Sequence, residues 1–356
     1  MKTSKFSVIL VALLLVGLAM VPMVSATIAE IDLGNDPEIN AILNNASALE
    51  TLPWNLQNAS TDTDKENEAI YMNNYVSPSR QIIDLMKKKG CSDTQITNFL
   101  TEQGYGWDPK TGASWKGKAP TPEEQKIIDQ IRGPGYSPFS RSVQTNTSSV
   151  KSITSLRGAG ATMNLVDQDT YFGINLYMSP GEMVITPSGT YEHVVTTHVG
   201  KKTPSGGEDW TEAGVARSVN DPTRSYFTYD NDEGGWQFHG AADATLFKNY
   251  KIYVSDTHES AGYVYNIWID SSWVRSGHLY YRQTKYNCAN EIWADGSNPF
   301  SSDGTSSYFQ NAYIYKSTGT QWWGDYTATS TFFSPDNPPY ESHYMSGNSY
   351  KFITWV

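Results

Sequence analysis

Cysteine is scarce in this chain, which limits how the fold can be stabilised. Cys91 and Cys288 are the only cysteines among 356 residues. The protein is therefore no disulfide-rich miniature and must depend on a hydrophobic core. Two states of the cysteines are open: a disulfide joining the N-terminal and C-terminal parts, or two separately buried thiols.

Positive charge is also scarce. The chain has 26 Lys and Arg against 37 Asp and Glu, a net charge of -11, and its one short basic run is 87–89. Because an acidic surface repels phosphate, this balance excludes a nucleic acid as partner.

Long apolar runs are missing after the first residues. Lys2 and Lys5 precede an apolar run at 8–21 and small residues at 24–26, the order of a secretory signal. No later run approaches the ~20 apolar residues of a spanning helix. We expect a signal peptide at 1–26, a secreted protein and no stable membrane insertion. The sequence leaves the oligomeric state open.

Motifs for metals and for a serine nucleophile are weak or missing. No Gly-x-Ser-x-Gly elbow is present. His193 and His198 are five residues apart on an expected strand, so they would face opposite sides and could not share one zinc ion. The acidic loops at 230–233 and 295–303 lack the full oxygen set of a calcium site. We expect no metal and no cofactor.

The N-terminal third has helical character. We predict a loosely ordered polar leader from Thr27 to about Val76 with a helical patch at 39–49. A helical hairpin follows from Ser77, an aromatic turn carries Trp107, and a last helix runs over 122–131. Together 27–132 form a leader and a propeptide-like helical region, and the Ser/Thr-rich residues 133–155 form a linker.

After Leu156 the pattern becomes that of β-strands. Short runs rich in Tyr, Val, Ile, Thr and Trp alternate with turn residues at intervals of about 10. We predict a mainly β fold, an antiparallel, jelly-roll-like β-sandwich over 156–356 preceded by the small α-helical region. The runs are 171–177, 192–199, 210–217, 226–229, 250–254, 263–269, 278–284, 308–315 and 350–356.

Two glutamates in such runs are the candidate site. Alternation along a strand places Trp210, Glu212 and Gly214 on one face, with space over the glycine for an extended ligand. Around Glu291 the same alternation adds Trp293 as an indole neighbour. A strand glutamate is more often a solvated outward side chain, and this alternative stays open on the residues alone.

Four stretches of the chain resemble the neprosin-type glutamic peptidases and, more distantly, the fungal glutamic peptidases. They are 171–178 (YFGINLYM), 210–236 (WTEAGVA to EGGW), 290–296 (NEIWADG) and 306–315 (SSYFQNAYIY). The resemblance implies a β-sandwich with two glutamates on its concave face and an N-terminal segment removed on activation. By position, these glutamates are Glu212 and Glu291.

The resemblance implies an acid-active endopeptidase made as a precursor, with a polypeptide as substrate. One carboxylate would take a proton from water while the other, protonated, would stabilise the oxyanion. We expect Glu291 in the first role and Glu212 in the second, with the reverse also open. Trp210, Gly214, Trp236 and Trp293 are the candidate substrate-binding residues.

Two other functions suit the same pattern. The many aromatic residues, among them 11 Trp and 23 Tyr, are compatible with a carbohydrate-binding or adhesion module that has no catalytic glutamate. Paired carboxylates also serve secreted glycoside hydrolases.

Overall fold

A computed structural model describes residues 33–57, 59–131, 155–157, 171–183, 190–218, 223–294, 306–317, 319–322, 341–345 and 348–355. Contacts divide the chain into two compact units, Met1–Asn40 and Ala41–Val356. In the first unit, a 3₁₀ turn at Leu33–Asn35 leads to Asp36, whose side chain accepts the backbone N–H groups of Glu38 and Ile39 at 3.0 and 3.1 Å. The signal peptide predicted at 1–26 and residues 133–154 of the predicted linker lie outside the described residues.

Helices dominate the described residues before residue 132. They are α1 (Pro37–Glu50), α2 (Trp54–Gln57), α3 (Asp62–Asn73), α4 (Pro78–Lys88), α5 (Asp93–Glu102) and α6 (Pro122–Ile131). The predicted hairpin and last helix correspond to α4, α5 and α6. In α5, Ser92 and Gln95 form the capping box that their spacing predicts.

The leader is more helical than the sequence pattern predicts. Residues expected to be loosely ordered, apart from one patch, form α2 and α3 as well as α1. In α3, a capping box between Thr61 and Asp64 starts the helix, and the polar Lys65 and Glu68 are buried. Because α3 buries charged side chains, its sequence lacks the apolar stripe from which a helix is normally predicted.

The strands form two antiparallel sheets, as predicted for a β-sandwich. Sheet A has 10 strands, in the order β1-β2-β11-β10-β9-β4-β13-β16-β15, with β14 paired to β13, and sheet B has 6, in the order β3-β12-β5-β6-β7-β8. The strands are β1 (Tyr105–Trp107), β2 (Ser114–Lys116), β3 (Ser155–Arg157), β4 (Tyr171–Ser179), β5 (Thr190–Lys202), β6 (Glu208–Ser218), β7 (Ser225–Asp230), β8 (Gln237–Ala241), β9 (Lys248–His258), β10 (Tyr263–Ile269), β11 (Ser272–Leu279), β12 (Lys285–Ala294), β13 (Ser306–Lys316), β14 (Gly319–Trp322), β15 (Glu341–Met345) and β16 (Asn348–Trp355).

The main hydrophobic core lies between the two sheets. Sheet A contributes side chains such as Ile174 and Ile252, and sheet B contributes Val199, Ala213 and Val215. Since Ala213 and Val215 face this core, the alternate residues of β6 face away from sheet A. The candidate site therefore lies on the outer face of sheet B.

One predicted strand is misplaced. The sequence pattern favours a strand over 278–284, whereas β11 ends at Leu279 and β12 begins at Lys285. Strand β11 starts earlier because Asp270 and Ser271 make a tight turn after β10, with φ values of 49° and 72°. Left-handed backbone is common in two-residue hairpin turns, but an Asp-Ser pair is a weaker turn signal than Asn-Gly.

The N-terminal segment, defined here as residues 41–131, contacts both sheets. Its aromatic turn is the hairpin of β1 and β2, and β2 pairs with β11 to extend sheet A. Its Lys118 exchanges backbone hydrogen bonds of 2.9 Å with Phe238 of β8 in sheet B. This segment thus adds backbone pairing to both layers of the sandwich.

The cysteines are two buried thiols and are not joined by a disulfide. Of the two states that the sequence leaves open, the structure therefore has the second. Within the described part of the chain, no helix has the length and apolarity needed to cross a membrane.

Candidate active site

Strand register places Glu212 and Glu291 on the same face of sheet B. Glu212 of β6 is opposite His198 of β5, and Glu291 of β12 is opposite Val194 of β5. Residues directly opposite each other share a face, and so do residues an even number apart on one strand. His198 and Val194 are four apart, so both glutamates are on the outer face. Both are nevertheless fully buried, with 0% of their surface exposed.

The floor between the two glutamates is made of small side chains. Thr196 lies between Val194 and His198 on β5, and it is opposite Ala289 of β12 and Gly214 of β6. On a flat sheet, two strand spacings of about 4.8 Å and four residues of about 3.3 Å would put the two glutamate α-carbons about 16 Å apart. At this spacing the carboxylates flank the floor, so a substrate that contacts both has to lie across it.

Two side chains from β5 hold the carboxylate of Glu212. His198 Nε2 lies 2.7 Å from Glu212 Oε2, and both residues are 0% exposed. The Thr196 hydroxyl donates to the same oxygen at 3.1 Å and also lies 3.0 Å from the carbonyl oxygen of Ala213. Glu212 is therefore not the solvated outward side chain that was the alternative from the sequence.

A second hydrophobic cluster covers part of this face. It joins Ile128 of α6 to Val194, Ala216, Phe227 and Trp236. The Trp236 ring stacks on Phe227 with ring centroids 4.0 Å apart and an angle of 5° between the planes. Val194 is opposite Glu291 and Ala216 is opposite Val194, so α6 packs beside the Glu291 end of the site.

The structure brings together most of the predicted substrate-binding residues. Trp210 is next to Glu212 on the same face, and its ring centroid is 5.4 Å from that of His198. Gly214 lies in the floor. Trp236 is 1% exposed and lies in the cluster under α6. The backbone of Trp293 pairs with β5 and β3, while its side chain is outside the described residues.

The described residues give no support to a metal site or to a catalytic thiol. Among the described residues, no group of three His, Cys, Asp or Glu side chains could hold a metal ion. In the loop at 230–233, Asp230 is buried and accepts the backbone N–H groups of Asp232 and Glu233 at 2.9 and 2.7 Å. Burial raises the pKa of Cys288 to about 12, which keeps this thiol protonated. The loop at 295–303 and the His193 side chain lie outside the described residues.

Sequence reasoning missed the contact between His198 and Glu212. The chain does contain a signal for it. The two strands are joined by the turn at 203–207, and a hairpin pairs residues that are equally distant from its turn. Centring the hairpin on Ser205 places His198 opposite Glu212, seven residues on either side.

Comparison with known proteins finds likenesses of structure alone. No family model and no curated protein matches the chain. Two crystal structures of scytalido-glutamic peptidase with transition-state analogues are similar to this chain, with sequence identities of 11% and 10% and TM-scores of 0.37. Each alignment covers 57% of this chain, and the alignments cover 100% and 98% of the two peptidase chains. A β-glucanase from Bacillus licheniformis is 12% identical, covers 41% of this chain and 64% of its own, and has a TM-score of 0.25. The chain thus has a distant structural similarity to glutamic peptidases and to a glucanase, and at these values neither likeness assigns an activity.

Proposed function

We propose that this protein is a secreted, acid-active endopeptidase of the glutamic type, with Glu212 and Glu291 as its catalytic residues and a polypeptide as its substrate. One observation carries the proposal. The two glutamates that the sequence motifs select, 79 residues apart in the chain, lie on one face of one sheet, and both are buried. Buried carboxylates are costly, and they are commonly retained at functional sites.

The floor of small residues suits an extended peptide. A peptide crossing the strands above Thr196 and Gly214 would have Glu212 on one side of its scissile bond and Glu291 on the other. No bulky side chain is present in the row formed by Ala289, Thr196 and Gly214, so the substrate backbone can approach the sheet closely.

The hydrogen bonds favour Glu212 as the base, the reverse of our first expectation. Donors on a carboxylate oxygen stabilise its ionised form, and His198 and Thr196 both act on Glu212 Oε2. Ionised Glu212 takes a proton from water as the water oxygen bonds to the substrate carbonyl carbon. Protonated Glu291 gives its proton to the leaving nitrogen as the C–N bond breaks. Solvent then returns the proton from Glu212 to Glu291, which completes the cycle.

The precursor form is part of the proposal. Helix α6 packs on the catalytic face through Ile128, and it directly precedes the predicted linker at 133–155. We expect the uncut chain to be inactive because α6 occupies part of the path of the substrate, and cleavage in the linker to release α6.

The non-enzymatic alternative is not better supported. A carbohydrate-binding module needs exposed aromatic rings, and the two tryptophans on the catalytic face, Trp210 and Trp236, are 3% and 1% exposed in the uncut chain. The glycoside hydrolase alternative uses the same carboxylates, and only an assay separates it from the peptidase.

The test is cleavage of a denatured protein and of a polysaccharide panel between pH 2 and pH 8. The proteins are the processed wild type, Glu212→Gln, Glu291→Gln and, as a control for the same substitution at an exposed position of the sandwich domain, Glu182→Gln. We expect peptide cleavage in acid, unaffected by pepstatin or EDTA, in the wild type and Glu182→Gln alone. Full activity in either active-site variant, or polysaccharide turnover without peptide turnover, would contradict the proposal.

A further inference from the structure

We propose that His198 is a positioning residue, whose Nε2–H holds the Glu212 carboxylate in the orientation in which it accepts a proton from water. This inference rests on the peptidase function proposed above and deepens it. Neither the motifs nor the alternation of side chains assigned His198 a role in the reaction.

The distance between His198 Nε2 and Glu212 Oε2, 2.7 Å, is at the short end of the range for charge-assisted hydrogen bonds. The Thr196 hydroxyl reaches the same oxygen at 3.1 Å. Two donors on one oxygen restrict rotation of the carboxylate, and such preorganisation is what a general base needs.

The imidazole itself is held in place. His198 lies on β5, which has a partner strand on each side, β12 and β6. Its ring packs against Trp210 at a centroid distance of 5.4 Å and an angle of 59°, and its side chain is fully buried. A donor fixed in this way can orient Glu212 without itself touching the substrate.

The choice of histidine suits an acid enzyme. A protonated imidazole keeps N–H groups on both ring nitrogens, so the donor to Glu212 persists at low pH. The other titratable side chains that the described elements bring to this face are Lys202 of β5, Glu208 of β6, Tyr229 of β7, Lys285 and Glu291 of β12, and Glu124 of α6. Among the basic groups on this face, His198 is the one directly opposite Glu212.

The test compares two substitutions of His198 in the processed enzyme with a control at an exposed histidine. His198→Gln keeps a side-chain N–H at about the same reach, His198→Leu removes it, and His258→Leu removes the exposed His258. We expect His198→Leu to lose about 100-fold in kcat, the cost of misplacing a catalytic group, with KM within about twofold because uniform binding is retained. His198→Gln should recover to within about tenfold of wild type, and His258→Leu should match wild type.

Thermal unfolding of each variant separates positioning from folding. Wild-type kcat in His198→Leu would overturn the inference and leave the peptidase proposal intact. An equal loss of kcat in both His198 variants would also overturn the inference. Loss of cooperative unfolding in both variants would overturn it as well, because His198 would then be needed for folding. Absence of peptide cleavage by the wild-type enzyme would instead overturn the function on which the inference rests.

Discussion

Two fully buried glutamates, one packed against sheet A and one within sheet B, have different environments. Glu68 of α3 packs against sheet A, where it forms an ion pair with Lys251 of β9 and accepts hydrogen bonds from Tyr313 and Tyr315 at 2.5 and 2.9 Å. Glu212 belongs to a strand of sheet B and has a histidine and a threonine as the partners described above. Both side chains are 0% exposed.

Under the proposed function, this difference distinguishes a structural carboxylate, Glu68, from a catalytic one, Glu212. The partner of Glu68 is a lysine, and the attraction between these two groups is strong in a buried site. The partners of Glu212 are an imidazole and a hydroxyl, which hold the carboxylate by hydrogen bonds. Burial alone therefore does not identify a catalytic group, and the partners of the carboxylate have to be considered as well.

The largest expected effect is on catalysis. Glu212→Gln keeps the size of the side chain and removes the base, so we expect kcat to fall by about 10² to 10⁴ with little change in the melting temperature. Steady-state kinetics on one peptide would measure this. Glu182→Gln, at an exposed position of the same domain, should keep kcat close to wild type when assayed in the same way, and a comparable loss would mean that the effect is not specific to Glu212.

The next effect is on stability, at Glu68. Glu68→Gln leaves Lys251 buried without its counter-ion, and breaking such a pair costs about 3 to 5 kcal/mol. Urea unfolding of the uncut chain would show the loss. Glu66→Gln on the same helix, at an exposed position, should stay within about 0.5 kcal/mol of wild type.

A compensating change sharpens that prediction. In Glu68→Gln combined with Lys251→Met, no buried charge remains unpaired, so much of the stability should return. A double variant as unstable as Glu68→Gln would mean that the glutamate matters through its hydrogen bonds to the tyrosines.

A smaller effect is expected where α6 covers the site. Ile128 is 3% exposed in the cluster beside Glu291, and Ile128→Ala should weaken the packing of α6 by about 2 to 5 kcal/mol. The uncut variant should then cleave peptide faster than the uncut wild type, while the processed enzymes have equal rates. Equal rates before processing would mean that α6 does not block the substrate.

The last expected effect is on the pH dependence of stability, through another buried carboxylate. Burial is the main cause that raises the pKa of Asp209 to about 8, with the nearby charge of Asp230 adding to it. Because the folded-state pKa of Asp209 is above the unfolded value near 3.8, the stabilisation from Asp209 is greatest below pH 3.8. It is lost as the pH rises towards about 8. Asp209→Asn should flatten the fall in melting temperature between pH 4 and pH 8, and an unchanged slope would exclude Asp209 as its source.

His278 and Glu259 also affect how the stability of the fold depends on pH. Burial would lower the pKa of His278, but hydrogen bonds to Glu233 and Glu259 outweigh it and raise the pKa to about 9, so this contribution is lost as the pH rises from about 6.5 to 9. The hydrogen bond from His278, aided by Arg80, lowers the pKa of Glu259 to about 2, so that contribution is lost as the pH falls below about 4.5. Together with Asp209, these shifts predict maximal stability in mild acid.

Much of the fold was predictable because its signals are local. The capping residues of α5, the bounds of α6 and the period-two runs of the strands are each read within about ten residues. The underestimated helix α3 has the opposite cause, because its Glu68 pairs with Lys251, which is distant in the chain. The misplaced strand at 278–284 reflects a weak local signal, since the Asp270–Ser271 turn that starts β11 is not a typical hairpin pair.

The candidate site was predictable in its residues and only partly in its arrangement. Alternation placed Trp210, Glu212 and Gly214 on one face, and the clusters on the two sides of β6 agree with this. The shared face of Glu212 and Glu291 depends on the position of β5 between β6 and β12, which no local pattern specifies. No local pattern predicts the contact of Ile128 with the site either, because this contact joins a helix to strands at least 66 residues away in the chain.

The central claim is that Glu212 and Glu291 act on one substrate as a unit. The most direct test is the kcat of Glu212→Gln, Glu291→Gln and the double variant on one peptide, with folding checked by circular dichroism. Residues that act as a unit give losses that do not add, so we expect the double variant to be no slower than the slower single variant. Losses that multiply, or a single variant with wild-type kcat, would contradict the claim.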